Sequence, residues 1–319
     1  METRTVSTTQ QLLDALGENS RIRVLVRSGQ YRLPRTDDFE IAGDGKEIIG
    51  VPDSGPVQIV GRAIAKDIRG MRIDNLCFRA PIEGRDAGDQ VSYGCLDVLG
   101  SENVRITRCS ILGGSDETVS FKESRNCGVY SSLIGMAFEA DRNHDMAMLV
   151  ECDGFELIGC VLCGADRRLP QIQEFEENSL IVISGNRIEA GTTMTLGLKP
   201  QSSGFRADIV NNWFRRHGRT KGYLDEIEAV NGSVGVADVY CSGNSIETGE
   251  PAGVDVETNA EHISLSSFPH SFKSNDGRRT CYPGHVGPTV TDAWHEFAIA
   301  TFGSGKRWKD ETEDGFPEL

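Results

Sequence analysis

Apolar and polar residues alternate along this chain in short bursts, and the bursts share an ending. In Val104-Arg105-Ile106-Thr107-Arg108-Cys109-Ser110-Ile111, the alternation runs into a small thiol residue, then any residue, then an apolar one. The phrase returns over 128–134 with Ser132 in the key slot, 155–162 with Cys160 and 181–188 with Asn186. It appears again over 207–214 with Asn212 and 239–246 with Asn244, and 71–78 is an earlier copy. From Cys109 the key slots step by 23, 28, 26, 26 and 32 residues. A period of two marks strands rather than helices. A strand that recurs at a nearly steady offset marks a repeat architecture.

With almost no helical pattern between copies, the expected fold is all-β, a parallel β-helix. An ordinary β-sandwich would also alternate, but nothing in it would hold the offset steady. Coils of a β-helix stack about 4.8 Å apart, so equal slots form ladders. Cys109, Ser132, Cys160, Asn186, Asn212 and Asn244 are expected to make one, with Asn bonding to its equivalents and Cys serving as a small core residue. The open ends of a solenoid need caps. Leu12, Leu13 and Leu16 have helical spacing behind Thr8 or Thr9, which predicts an N-terminal cap helix over 9–16. Trp294, Phe297 and Ile299 mark a second amphipathic candidate over 291–302. No Pro/Ser linker or low-complexity tract divides the chain. A single domain over 1–319 is expected, with about 1–30 as cap, 31–270 as coils and 271–319 as C-terminal flank.

Charge narrows the partners. The net charge of −15 disfavours nucleic acid and anionic membranes. An acidic polymer would need a local basic patch. Most of the 33 basic residues are Arg, so fork-shaped recognition of carboxylates is available. No apolar run approaches the ~18 residues of a membrane span, and the N-terminus shows no signal-peptide core. The nine cysteines are an odd number, so at least one thiol is free or intermolecular. Cys77, Cys109 and Cys160 fall in strand slots and read as buried thiols. Cys160-Val-Leu-Cys163 is a lone CxxC with no second pair at zinc spacing.

The turns after the repeated strands should line one edge of the solenoid. Read in order they carry Asp116-Glu117, then Asp141-Arg142-Asn143-His144-Asp145, then Asp166-Arg167-Arg168-Leu169-Pro170, then Arg215-Arg216-His217. Acidic turns thus give way to basic ones. The Arg168 and Arg215 turns would lie two coils apart, roughly 10 Å, or about two sugars of an extended glycan. A merely solvated charged edge is the plainer alternative.

Residues 101–120, SENVRITRCSILGGSDETVS, resemble the pectate lyase superfamily, in particular polysaccharide-lyase-like chains reading NVxxDHCSxSWGxDExxS. The likeness extends to 144–149, to Arg168-Leu169-Pro170 and to 207–214. A further stretch, Val286 to Gly305, resembles the family's tail. This resemblance implies a right-handed β-helix and β-elimination of an acidic, polygalacturonate-like polysaccharide by a secreted monomer. It implies Arg168 as the base that takes the C5 proton, or as the cation that stabilises the resulting enolate. It implies Asp116 and Glu117 as ligands of calcium, and Arg142, His144, Arg167, Arg215 and Arg216 as substrate-binding residues. The chain departs from the family pattern. The family's carboxylates fall on Ser92, Gly94, Asp116 and Ser120, of which only Asp116 is acidic. Its Asp-His pair is Thr107-Arg108, its substrate lysine falls on Met146 or Arg142, and its second arginine falls on Gln173. Calcium would then be completed by substrate, or Arg108 would supply the fixed charge. A non-catalytic glycan-binding or structural module, of surface or tail-fibre type, is the main rival. A glycoside hydrolase is a weaker one, because hydrolysis needs two carboxylates about 5–9.5 Å apart, and adjacent Asp116 and Glu117 should point apart. His262, His270, His285 and His295 read as surface or cap residues. Asn231-Gly-Ser233 is a glycosylation sequon by pattern alone.

Overall fold

The computed structural model describes residues 1–34, 39–51, 55–80, 94–114, 116–135, 146–165, 167–176, 179–190, 196–200, 205–216, 227–229, 237–242, 244–247, 254–255 and 272–274. Each turn of the chain lays one strand on each of three sheets, here A, B and C. Arg105–Thr107 joins sheet A, Ser110–Leu112 sheet B and Glu117–Arg125 sheet C. The next turn repeats the order with Gly128–Tyr130, Leu133–Gly135 and Met146–Asp153. Neighbouring strands run parallel and in register, so Arg72, Arg105, Gly128 and Glu156 form one column on sheet A. One described pairing is antiparallel, that of Ser245–Glu247 with Val254–Asp255. The chain is a parallel β-helix, as its repeated phrase predicts.

That phrase is the strand of sheet A, a two-residue corner, and the strand of sheet B. The first corner residue is left-handed at every described coil from Asn75 (φ 57°) through Arg108 (51°), Ser131 (47°), Gly159 (63°) and Gly185 (63°) to Asn211 (55°). Gly and Asn tolerate this region best, which explains four of the six choices. The second residue is buried and builds the expected ladder. The Cys109 N–H donates to Ser132 Oγ at 3.0 Å, and the Cys160 N–H to Asn186 Oδ1 at 2.8 Å. The Asn186 N–H donates to Asn212 Oδ1 at 3.0 Å, and the Asn212 N–H to Asn244 Oδ1 at 2.9 Å. Each Asn Nδ2 also donates to a carbonyl of the preceding coil, at Leu157, Ile183 and Ile209. A buried amide is affordable only when its groups are met in this way.

The lumen is packed with alternate strand residues such as Ile106, Ile111, Val119, Val129 and Ile134. Phe121 and Phe155 meet edge-on with ring centres 5.0 Å apart. Cys160 and Cys163 are both buried thiols, and burial pushes Cys160 up to about 12.

The cap helix spans Thr9–Gly17, with the Thr8 hydroxyl accepting from the Gln11 N–H at 3.3 Å. Leu12, Ala15 and Leu16 face the core. Its C-terminal end is closed by Lys46, whose Nζ donates to the carbonyls of Ala15, Leu16 and Glu18 at 2.8–2.9 Å. The stack begins earlier than the expected boundary near residue 30. Glu2–Val6 and Ile22–Val26 already pair on sheet A, and Gly29–Arg32 starts sheet B. The second capping candidate over 291–302, the four late histidines and the sequon at Asn231 lie outside the described residues.

Candidate active site

Sheet C carries the polar chemistry. Its strands Ala63–Lys66, Leu96–Leu99, Glu117–Arg125, Met146–Asp153, Gln171–Gln173 and Leu196–Lys199 lie side by side. Leu96 and Val98 belong to the core, so Asp97 between them projects from the opposite face. Ser120, between the core residues Val119 and Phe121, stands opposite Asp97 on the next strand.

Two arginine–carboxylate pairs are built on this sheet. Arg168, just before the Gln171–Gln173 strand, contacts Glu117 through Nη1. Its backbone carbonyl accepts from the Met148 N–H at 2.9 Å, and Arg167 bridges to Met146 beside Glu117's own partner position. Burial pushes the Glu117 carboxyl up, and the charge of Asp116 adds to this, while Arg168 and Lys122 pull it back down. The second pair is Arg62 with Asp97, Nε to Oδ2 at 2.6 Å. The Ser120 hydroxyl donates to the other Asp97 oxygen. Gly94 joins the two pairs. A Cβ placed there would stand 3.3 Å from Asp97 Oδ2 and 3.0 Å from the Glu117 carbonyl. A side chain at Gly94 would therefore crowd both the Asp97 carboxylate and the Glu117 backbone.

Lysines flank the pairs along the same sheet. Lys66 and Lys122 both stand in register with Leu99, and Lys199 stands in register with Gln173, the partner of Glu151. The Lys66 and Lys122 backbones are two strands apart, roughly 10 Å, and Lys199 is three further, roughly 14 Å. Burial, and then Glu123, push the Glu151 carboxyl up, while Lys122 and Lys199 draw it down.

The structure brings together Asp116, Glu117, Arg167 and Arg168 at the start of sheet C. Arg215 and Arg216 end the sheet B strand Trp213–Arg216 rather than lying in the turn after it. Arg142 and His144 fall outside the described residues. Arg108 does not reach the site. It sits at the left-handed A–B corner, where its Nε and Nη2 donate to the two Asp74 oxygens of sheet A at 2.9 and 2.5 Å. Arg62, Asp97 and the lysines were not legible as site residues, whereas Ser120 falls on a carboxylate position of the family pattern. The one available signal was an acidic or hydroxyl residue flanked on both sides by core residues of a strand.

The described residues do not fit a resident calcium. Calcium takes six to eight oxygen ligands, and no group of three or more His, Cys, Asp or Glu side chains converges among the described residues. The expected pair of Asp116 and Glu117 is broken up because Glu117 is committed to Arg168, and Asp97 is likewise committed to Arg62 and Ser120.

A set of solved structures shares this arrangement of coils. The thermostable pectate lyase PL 47 superposes with a TM-score of 0.55 over 93% of this chain and 91% of its own, at 15% identity. A pectate lyase from Bacillus subtilis aligns over 93% of this chain and 90% of its own, with a TM-score of 0.58 at 12% identity. The pectate lyase of Bacillus sp. N165, solved in complex with trigalacturonate, covers 86% of this chain and 89% of its own, with a TM-score of 0.57 at 15% identity. No protein-family profile and no curated protein sequence matches the chain. At these identities the likeness to the pectate-lyase-type structures is one of fold.

Proposed function

We propose that this protein is a polysaccharide lyase that cleaves pectate or a related polyuronate by β-elimination. The observation that carries the reading is the half-buried Arg168 against buried Glu117 on the sheet that also carries Lys66, Lys122 and Lys199. β-Elimination removes the proton at C5, beside the uronate carboxylate, and expels the C4 oxygen. The enolate that develops needs a fixed positive charge. Arg168 supplies it, and its pairing with a carboxylate favours this role over that of the base, since guanidinium groups in proteins remain charged. Glu117, in contact with Arg168, is a carboxylate able to take the proton. Arg167 and the sheet C lysines hold neighbouring uronate carboxylates, as would Arg142, His144, Arg215 and Arg216. An extracellular polymer as substrate implies a secreted protein, acting as a single-domain monomer.

The arginine-neutralised carboxylates favour one other reading, a β-helix that binds glycan without cleaving it. Ultraviolet absorbance of the unsaturated product, followed with polygalacturonate and then other polyuronates, separates the two. Product release by the wild type and not by Arg168→Ala supports the lyase. Glycan binding without product from any polyuronate supports the binding module.

A further inference from the structure

We propose that Cys127 and Cys152 are a modification site, two thiols placed to join in a disulfide that closes one whole turn of the solenoid and stabilises it. The inference rests on packing at the corner between sheets C and A and is independent of the lyase reading.

That corner has a repeating plan. A buried residue ends the sheet C run, a left-handed residue turns the chain two positions later, and the next residue is buried again. Ser101, Asn103 (φ 57°) and Val104 follow it, as do Ser124, Asn126 (50°) and Cys127, and then Cys152, Gly154 (68°) and Phe155. The first slot is a hydroxyl ladder. Ser101 Oγ donates to the Ala65 carbonyl at 3.0 Å and accepts from the Ile68 N–H at 3.1 Å. Ser124 Oγ donates to the Val98 carbonyl at 3.2 Å and accepts from the Ser101 N–H at 3.3 Å. Cys152 stands in register with Ser124 and puts a thiol where the ladder has a hydroxyl.

The second slot of the adjoining coil also carries a thiol, and the two meet. The Cys127 and Cys152 thiols hydrogen-bond to one another, and the Cys127 N–H donates to the Cys152 sulfur. Beside them the Asn126 N–H donates to the Asp153 carbonyl at 2.6 Å, which ties the two coils together at this point. Both side chains belong to the core. Cys109 and Cys160 share a ladder too, but Ser132 lies between them. Their backbones are two coils or roughly 10 Å apart, beyond the ~7 Å that a disulfide spans.

Oxidation removes two electrons and two protons from the pair. The acceptor is a low-molecular-weight disulfide met while the chain folds, before the stacked coils seal the thiols. The Cys127 thiolate attacks one sulfur of that disulfide and releases one small thiol. The Cys152 thiolate then attacks the Cys127 sulfur of the mixed disulfide and releases the second. The bond encloses one strand of each sheet, Gly128–Tyr130, Leu133–Gly135 and most of Met146–Asp153. Closing that ring restricts the unfolded chain far more than the folded one.

The test refolds the full chain with a mixture of oxidised and reduced glutathione, or with excess reductant. After oxidative refolding, thiols titrated in denaturant should fall by two from the nine of the sequence. Peptide mapping by mass spectrometry should find Cys127 joined to Cys152. The thermal midpoint of the oxidised protein should exceed that of the reduced one by about 5 °C or more. Cys152→Ser, which restores the residue of the ladder, should abolish the linked peptide and this difference between redox states. Cys127→Ser should do the same, and if one variant does not fold the other carries the comparison. Nine free thiols after oxidative refolding, a bond between other cysteines in place of this one, or a midpoint indifferent to redox state overturns the inference.

Discussion

Asn186 donates its side-chain Nδ2 to the Oδ1 of Asn212, one coil along, at 2.9 Å. The same oxygen accepts from the Asn186 backbone N–H, and Asn212 repeats both bonds to Asn244. Replacing Asn212 with Ala strips partners from two buried donors of Asn186. A loss of about 2–4 kcal/mol is expected by denaturant unfolding. Cys160→Asn should behave differently. The Cys160 Sγ already points at the Val129 carbonyl, 3.5 Å away, in the place where a ladder Nδ2 would donate. That variant should stay within about 1.5 kcal/mol of the wild type, because the new amide meets a ladder partner instead of being left unsatisfied.

Lys46 gives a pH signature at the capped end. Burial pulls its ammonium down to about 8 from the ordinary 10.5. Between those values the unfolded chain binds the proton and the folded one does not, so this group makes stability rise with pH there. Lys46→Met removes the proton binding and leaves three carbonyls unmet. It should be destabilised at every pH, by about 1–3 kcal/mol near neutrality. The deficit relative to wild type should widen between pH 8 and 10.5. Paired thermal melts across that window check both statements.

Two buried thiols act in the opposite sense. Cys160 is pushed from 9.0 up to about 12 by burial, and Cys163 moves the same way. The stability they contribute is complete below about pH 9 and is lost as pH rises toward 12, because only the unfolded chain ionises there. Each such thiol adds a slope of about 1.4 kcal/mol per pH unit. Denaturation midpoints should fall above pH 9, and less steeply in Cys160→Asn than in the wild type.

Gly94 tests the site without touching a charge. A valine there would press against Asp97 Oδ2 and the Glu117 carbonyl. Gly94→Val is expected to cut product release from polygalacturonate by about tenfold or more while shifting stability by about 1–3 kcal/mol, the usual range for overpacking. Activity equal to wild type in a folded variant would place the reaction elsewhere on the solenoid.

The coils were legible because their A–B corner is two residues long at every coil from Arg72–Asp74 to Ala237–Ser242. A fixed corner keeps Cys109, Ser132, Cys160, Asn186, Asn212 and Asn244 at a constant distance from the strands on both sides, so the pattern survives in the sequence. Sheet C has no such ruler. The B-to-C connection is short before Glu117 and longer before Gln171, and the strands themselves run from three to nine residues. Arg168 and Glu117 were found through a motif, whereas Arg62 pairs with a residue 35 positions later and carries none. The pairing exists only once two coils have stacked. Glu117 was expected to bind a cation for the same reason, since its arginine lies 51 residues away.

The helix Thr9–Gly17 also sets a limit on assembly. The outermost described strands of sheets B and C, Gly29–Arg32 and Phe39–Ile41, have the helix packed against them where a further coil would lie. On sheet A the outermost strand, Glu2–Val6, carries Arg4 tied to Glu18 at 3.1 Å. A second molecule arriving end-on at sheets B and C finds a helix instead of a row of open backbone groups. The geometry that lets one coil template the next within the chain is thereby blocked on two of its three sides at this end.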